Sequence, residues 1–203
     1  MSIEIKISKK PISYKKAMLF LNKRVEEVKN DKKSELIWIL EHPITYTAGV
    51  SFNQKEILDK KIEIIKTNRG GKITLHNPGQ KIVYFVINLN NKKKDIRKFI
   101  NAIENGIIQF LKTYKINAKK DEKNIGIWVN TNKIAAIGIR VSRWIAYHGC
   151  SINISNNLNQ YLKIIPCGLN NKKVTSIFNE KKIKPKNYEN KLAEIFLKNI
   201  LKI

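Results

Sequence analysis

The sequence predicts an α/β fold in the α+β sense, with short strands and helices sharing one core, and three observations predict it. Apolar residues alternate with polar ones at Ile3, Ile5 and Ile7 and again over Ile62 to Thr67, the period of a half-buried strand. Ile96, Phe99, Ile100, Ile103, Ile107, Phe110 and Leu111 recur at three and four, the period of a helix lying against a sheet. GIWV (126–129) and KIAAIGIRV (133–141) flank Asn130-Thr131-Asn132, a turn-forming run that makes a hairpin. A chain of 203 residues is long enough for one substantial core, so a single domain over 1–203 is expected.

The elements follow in order. After the first strand (2–8) a helix is expected from Pro11, with Pro in its first turn and Tyr14, Ala17, Met18, Leu21, Val25 and Val28 on one face. ELIWIL (35–40) reads as a buried strand, and Thr45-Tyr46-Thr47 as a short one ending at Gly49. Arg69 to Gln80, RGGKITLHNPGQ, holds three glycines and a proline among polar residues, which reads as a backbone-exposing loop; plain connection and ligand site are equally open at this point. KIVYFVINL (81–89) is a strongly apolar strand that would fix that loop to a rigid element. The long helix is expected from about Asp95 to Tyr114. Gly138 inside the second hairpin strand marks a bulge or a close backbone approach. Ile145 to His148 and Cys150 to Ile154 read as two further short strands, and Asn156-Asn157 as the start of a helical or turn segment through Leu162. Lys181 to Lys186 is a charged connector, and a packing helix runs from Tyr188.

The formal charge of +24 invites a nucleic-acid reading, but 35 of the 40 basic residues are Lys and they are spread along the whole chain. Base readout and bidentate phosphate clamps favour Arg, so specific nucleic-acid binding is the minor reading, and the field raises encounter rates with acidic partners of any kind. The longest apolar run, Ile82 to Ile87, is far short of a membrane span, and Met1-Ser2-Ile3-Glu4 lacks the pattern of a signal peptide, so a cytoplasmic protein without membrane partners is expected. Cys150 and Cys167 are then reduced thiols. The three histidines, His42, His76 and His148, have no metal-ligand spacing, and neither a metal site nor a cofactor is expected.

Several residues carry chemistry in principle. Cys167 stands between Pro166 and Gly168, a way to present a thiol beside an amide, although a lone cysteine is ordinarily an inert small hydrophobe. Lys133 opens an apolar strand after a turn and can point into whatever the neighbouring loops enclose; a surface lysine is the alternative. Arg69 can clamp a carboxylate or phosphate, or hold its own loop together. His76 and His148 are each more ordinary as structural residues.

Taken in order, EHPITYTAG, RGGKITLHNPGQ, GIWVNTNKIAAIGIRV, WIAYHGCSINI and LKIIPCGL resemble the lipoyl(octanoyl) transferase family of lipoate biosynthesis, over about Glu41 to Leu169. The resemblance implies the fold shared with biotin and lipoate protein ligases, a mixed, largely antiparallel sheet flanked by helices. It implies transfer of an octanoyl group from acyl carrier protein to a lysine of lipoyl domains, those of 2-oxoacid dehydrogenase complexes and of the glycine cleavage H protein. In that family the cysteine of PCG, here Cys167, takes the acyl chain as a thioester, and the lysine opening the KIxxxG strand, here Lys133, works with it. The implied substrate-binding set is Arg69, Gly70, Gly71, Lys72, Ile73, Thr74, Leu75 and His76; Ala136, Ile137 and Gly138; and His148, Gly149, Cys150 and Ser151. Asn77, Leu75 and Cys150 depart from the family pattern, and Asn77 is expected to add bulk near the acyl site. Two rivals remain: an ATP-dependent ligase of the same fold, which needs no cysteine nucleophile, and a basic nucleic-acid-binding module.

Overall fold

The computed structural model describes residues 2–121, 124–166 and 173–203. Among these residues ten strands and four α-helices follow in the order β1 (Ile3–Ile7), α1 (Tyr14–Lys29), β2 (Glu35–Leu40), β3 (Thr45–Ala48), β4 (Ile64–Lys66), β5 (Ile73–His76), β6 (Gln80–Asn88), α2 (Ile96–Lys112), β7 (Lys119–Lys120), β8 (Ile127–Val129), β9 (Asn132–Ser142), β10 (Ile145–Asn153), α3 (Ile177–Lys181) and α4 (Glu189–Ile200). They form a seven-stranded sheet in the order β1-β2-β6-β10-β9-β8-β7 and a three-stranded sheet in the order β4-β3-β5. In the large sheet β1 pairs with β2 in parallel and the other neighbours are antiparallel.

The large sheet is covered on both faces, which is why β2 and β6 read as unbroken apolar runs. On one face Ala17, Leu21 and Val25 of α1 pack on Leu36, Trp38, Leu40, Ile82, Tyr84, Val86, Ile145 and Tyr147. On the other, Phe99, Ile103 and Ile107 of α2 and Leu192, Phe196 and Ile200 of α4 close over Ile37, Ile39, Val83, Phe85 and Ile87. Phe85 meets Phe99 and Phe196 edge-on, at centroid distances of 5.9 and 5.3 Å. The small sheet has its own core of Tyr46, Ile73, Leu75, Tyr161 and Ile164.

Several expectations change on the structure. The first helix begins at Tyr14 rather than Pro11, because the Ser13 hydroxyl accepts from Lys16 N and caps it; Pro11 lies outside the helix. The two strands expected at 145–148 and 150–154 are one, β10, since the pairing with β6 and β9 runs without interruption through Gly149. The glycine-rich stretch is only partly a loop, because Ile73 to His76 pair with β3 and bury both apolar side chains. A short helix, α3, capped by Ser176, precedes the charged connector.

Candidate active site

The two sheets enclose a cavity of about 550 Å³. The glycine-rich loop and β5 form one wall through Arg69, Gly70, Gly71, Lys72, Thr74 and His76, while β9 and β10 form the other through Ala136 to Ile139 and His148 to Ser151. Tyr14 of α1 and Ile82 and Tyr84 of β6 line it as well, and Ile100 of α2, Asn124 and Ile125 extend it beyond β9. Among the described residues, two that the sequence predicted for the site are not brought to it. Strand alternation turns Ile73 and Leu75 away into the core of the small sheet, which leaves Lys72, Thr74 and His76 on the cavity side.

Lys133 is the second residue of β9 and is 7 % exposed. Its ammonium stands over the Trp128 ring, 5.2 Å from the centroid, and lines the cavity. The amine fits because Gly126 has no side chain: a Cβ there would collide with Lys133 Cε and approach Ala135 O to 2.7 Å. Gly126 has a φ of 137°, a backbone region that is nearly exclusive to glycine. Cys167 lies outside the described residues, but the chain on both sides of residues 167–172 meets Lys133. Pro166 shares a narrow cleft with Lys133, Ala136 and Ser151. On the far side, Lys133 N donates to Lys173 O and Thr175 N donates to Lys133 O, both at 2.9 Å.

Arg69 holds its own loop. Its guanidinium donates to Thr47 O and Lys72 O at 2.8 Å, to Thr47 Oγ1 at 2.9 Å and to Gly70 O at 3.0 Å, tying the loop to β3. Gly138 marks a close approach rather than a bulge: a Cβ on it would lie 3.1 Å from Gly70 O, and one on Gly70 would lie 2.9 Å from Ile139 O. The loop backbone therefore rests directly on β9, which side chains at 70 or 138 would prevent.

The polar groups of the cavity are neutral where burial decides. His76 bonds through Nδ1 to Gln80 Oε1 at 2.8 Å and stacks on Tyr14, and burial, then the neighbouring His42, pushes its pKa down to about 3. His148, buried near Arg69 and Arg140, is lowered to about 4. Burial raises the Cys150 thiol far above its ordinary value, so Cys150 is a protonated wall residue. Asn77 does not line the cavity. It is 1 % exposed and its amide joins Asn157 O, Gln160 Oε1 and Asn156 Nδ2, while the left-handed residue of the turn is Gly79. Tyr14, Tyr84 and Gly126 escaped sequence reasoning because the first two read as core and the last as a strand start.

No group of three or more His, Cys, Asp or Glu side chains suited to a metal occurs among the described residues, and no described helix is long and apolar enough to cross a membrane. An octanoyltransferase of Wolbachia sp. subsp. Brugia malayi is 44% identical over 180 residues, covering 86% of this chain and 88% of the relative. One of Bartonella tribocorum is 41% identical over 191 residues, covering 87% and 78%. Among solved structures, lipoate-protein ligase A bound with ATP superposes with a TM-score of 0.76 at 13% identity, covering 99% of this chain and 86% of that one. The biotin protein ligase of Aquifex aeolicus gives 0.55 at 11%, covering 99% and 68%, so the architecture is that of the biotin and lipoate protein ligases. Residues 13–197 match the lipoyl protein ligase A/B catalytic domain family; the chain belongs to that family and is an acyltransferase.

Proposed function

We propose that residues 1–203 form one octanoyltransferase domain that moves an octanoyl group from acyl carrier protein to a lysine amine of lipoyl domains, in the cytoplasm and through a thioester on Cys167. The acceptors are the lipoyl domains of 2-oxoacid dehydrogenase complexes and the glycine cleavage H protein. The observation that carries the reading is the meeting at Lys133 of three things: an ammonium on a cavity wall, a cavity with an apolar lining, and both ends of the stretch that contains Cys167.

The chemistry then follows from residue types. A thiolate is the competent nucleophile, and a nearby ammonium favours it over the thiol. The Cys167 thiolate attacks the thioester carbonyl, the carrier's sulfur leaves and takes its proton from the Lys133 ammonium, which becomes a neutral amine, and the acyl chain is held as a new thioester of nearly equal free energy. The acceptor amine attacks next, Lys133 receives its proton, and the Cys167 thiolate departs as the amide forms. Ile82, Ile125, Ile137 and Ile139 offer the chain apolar contact, worth about 0.8 kcal/mol per buried CH₂.

The test is transfer from octanoyl-acyl carrier protein to a purified lipoyl domain, read as the mass of the acceptor. Octanoylation without ATP that is lost in Cys167→Ala supports the proposal. Modification of the acceptor only from free octanoate and ATP would make the chain a ligase instead.

A further inference from the structure

Strand β10 pairs regularly on both sides, yet its His148 has a φ of 65°, in the left-handed region that side chains disfavour. The consequence is a reversal of facing. Ala146, Cys150 and Ile152 look toward the α2 and α4 core, and Ile145 and Tyr147 look toward α1. Alternation would put His148 with Ala146 and Cys150, but its ring stacks on Tyr147 at 4.9 Å and 22°, and its Nε2 lies 2.7 Å from Asn68 Oδ1. Asn68 Nδ2 donates to the Tyr147 hydroxyl at 3.2 Å, so Asn68 Oδ1 is the acceptor and His148 Nε2 carries the proton. His148 Nδ1 is then an unprotonated acceptor, buried without a partner. A left-handed backbone and an unpaired buried acceptor both disfavour folding, and both fall on this one residue.

Asn68 opens the glycine-rich loop. Behind it, Arg69 fastens that loop to β3 of the small sheet. Asn68 fastens it to the large sheet, through its side chain to His148 and Tyr147 and through its carbonyl, which accepts from Arg140 at 3.0 Å. The two sheets are the two walls of the cavity, and Asn68 joins them at the mouth of the loop, beside the backbone contact of Gly70 with β9.

We propose that Asn68 and His148 are positioning residues that form a latch, fixing the spacing of the cavity walls and so the length of acyl chain the enzyme accepts. The latch rests on the acyl-transfer reading above. A loosened wall admits extra methylenes that a fixed one rejects, and one methylene in a fitted apolar pocket is worth about 10–200-fold in discrimination.

The experiment compares kcat/KM for octanoyl and dodecanoyl carrier-protein thioesters in wild type, N68A, H148N and N68D, with a thermal melt of each. Asparagine tolerates the left-handed backbone at 148 but is too short to reach Asn68, so H148N serves if N68A fails to fold. The octanoyl-to-dodecanoyl ratio is expected to fall roughly tenfold in N68A and H148N. N68D, whose carboxylate accepts from both His148 Nε2 and the Tyr147 hydroxyl, is expected to return the ratio to within about threefold of wild type. A role confined to stability would lower melting temperatures without moving the ratio. An unchanged ratio in folded, active N68A and H148N overturns the latch alone, as does an N68D ratio as low as that of N68A. A wild type that transfers neither chain overturns the acyl-transfer reading, and the latch with it.

Discussion

Replacing Gly126 with alanine perturbs Lys133 without touching it chemically. The new methyl would fall on Lys133 Cε, 2.7 Å from Ala135 O and 3.0 Å from Lys133 Nζ. Ala135 is held by its pairing with Ile127 and Ile152, so the lysine side chain is the part that yields. Restoring ordinary contact distances moves the ammonium by about 1 Å, and a misplacement of that size costs on the order of 10²-fold in rate. The backbone adds its own cost, because a φ of 137° is a region that only glycine occupies without strain. Strain of about 1–3 kcal/mol corresponds to a melting temperature lower by about 3–10 °C for a chain of this size. Steady-state transfer of octanoyl from its carrier protein, with a thermal melt on the same sample, measures both. A G126A enzyme with kcat within twofold of wild type would refute the claim that Lys133 acts from the slot over Gly126.

Lys133→Met keeps the apolar stem over Trp128 and removes the charge; kcat should fall about 10²–10⁴-fold in steady-state transfer while the melting temperature changes little. Asn77→Gly should lower stability by about 1–3 kcal/mol in urea denaturation, through lost bonds to Asn156, Asn157 and Gln160, and leave the chain-length preference unchanged because Asn77 is off the cavity. His76 and His148 titrate near 3 and 4 when folded, against an ordinary value near 6.5, so the unfolded chain binds protons that the folded chain refuses. The stability from their neutral forms is complete above pH 6.5 and is lost as pH falls toward 4, by up to about 1.4 kcal/mol per pH unit for each histidine. The urea midpoint should therefore be lower at pH 5 than at pH 7, and an equal or higher midpoint at pH 5 contradicts it.

What could be read in the sequence was set by period and by bond type. The apolar face of α2 recurs over four turns, and Asp95, expected as its start, caps it through a bond to Lys98 N. The β8–β9 hairpin was legible because Asn130, at φ 52°, is the residue type its turn requires. Cavity residues on Arg69 to His76, Ala136 to Gly138 and Gly149 to Ser151 came from ordered motifs, and the alternation of β5 then sorted Thr74 and His76 from Ile73 and Leu75. Long-range geometry was not legible. The reversal of His148 depends on a partner eighty residues away in the chain, at Asn68. The slot at Gly126 exists only once β8 and β9 are paired, and Tyr14 reaches the cavity only because α1 crosses β6. Each of these is set by tertiary contact, which local pattern does not encode.

The covalent intermediate on Cys167 is read out by the intact mass of the enzyme after incubation with octanoyl-acyl carrier protein, without acceptor and without ATP. A gain of one octanoyl group, released by hydroxylamine and absent in Cys167→Ala, is expected. No gain in the wild type, or a gain that persists in Cys167→Ala, would contradict it.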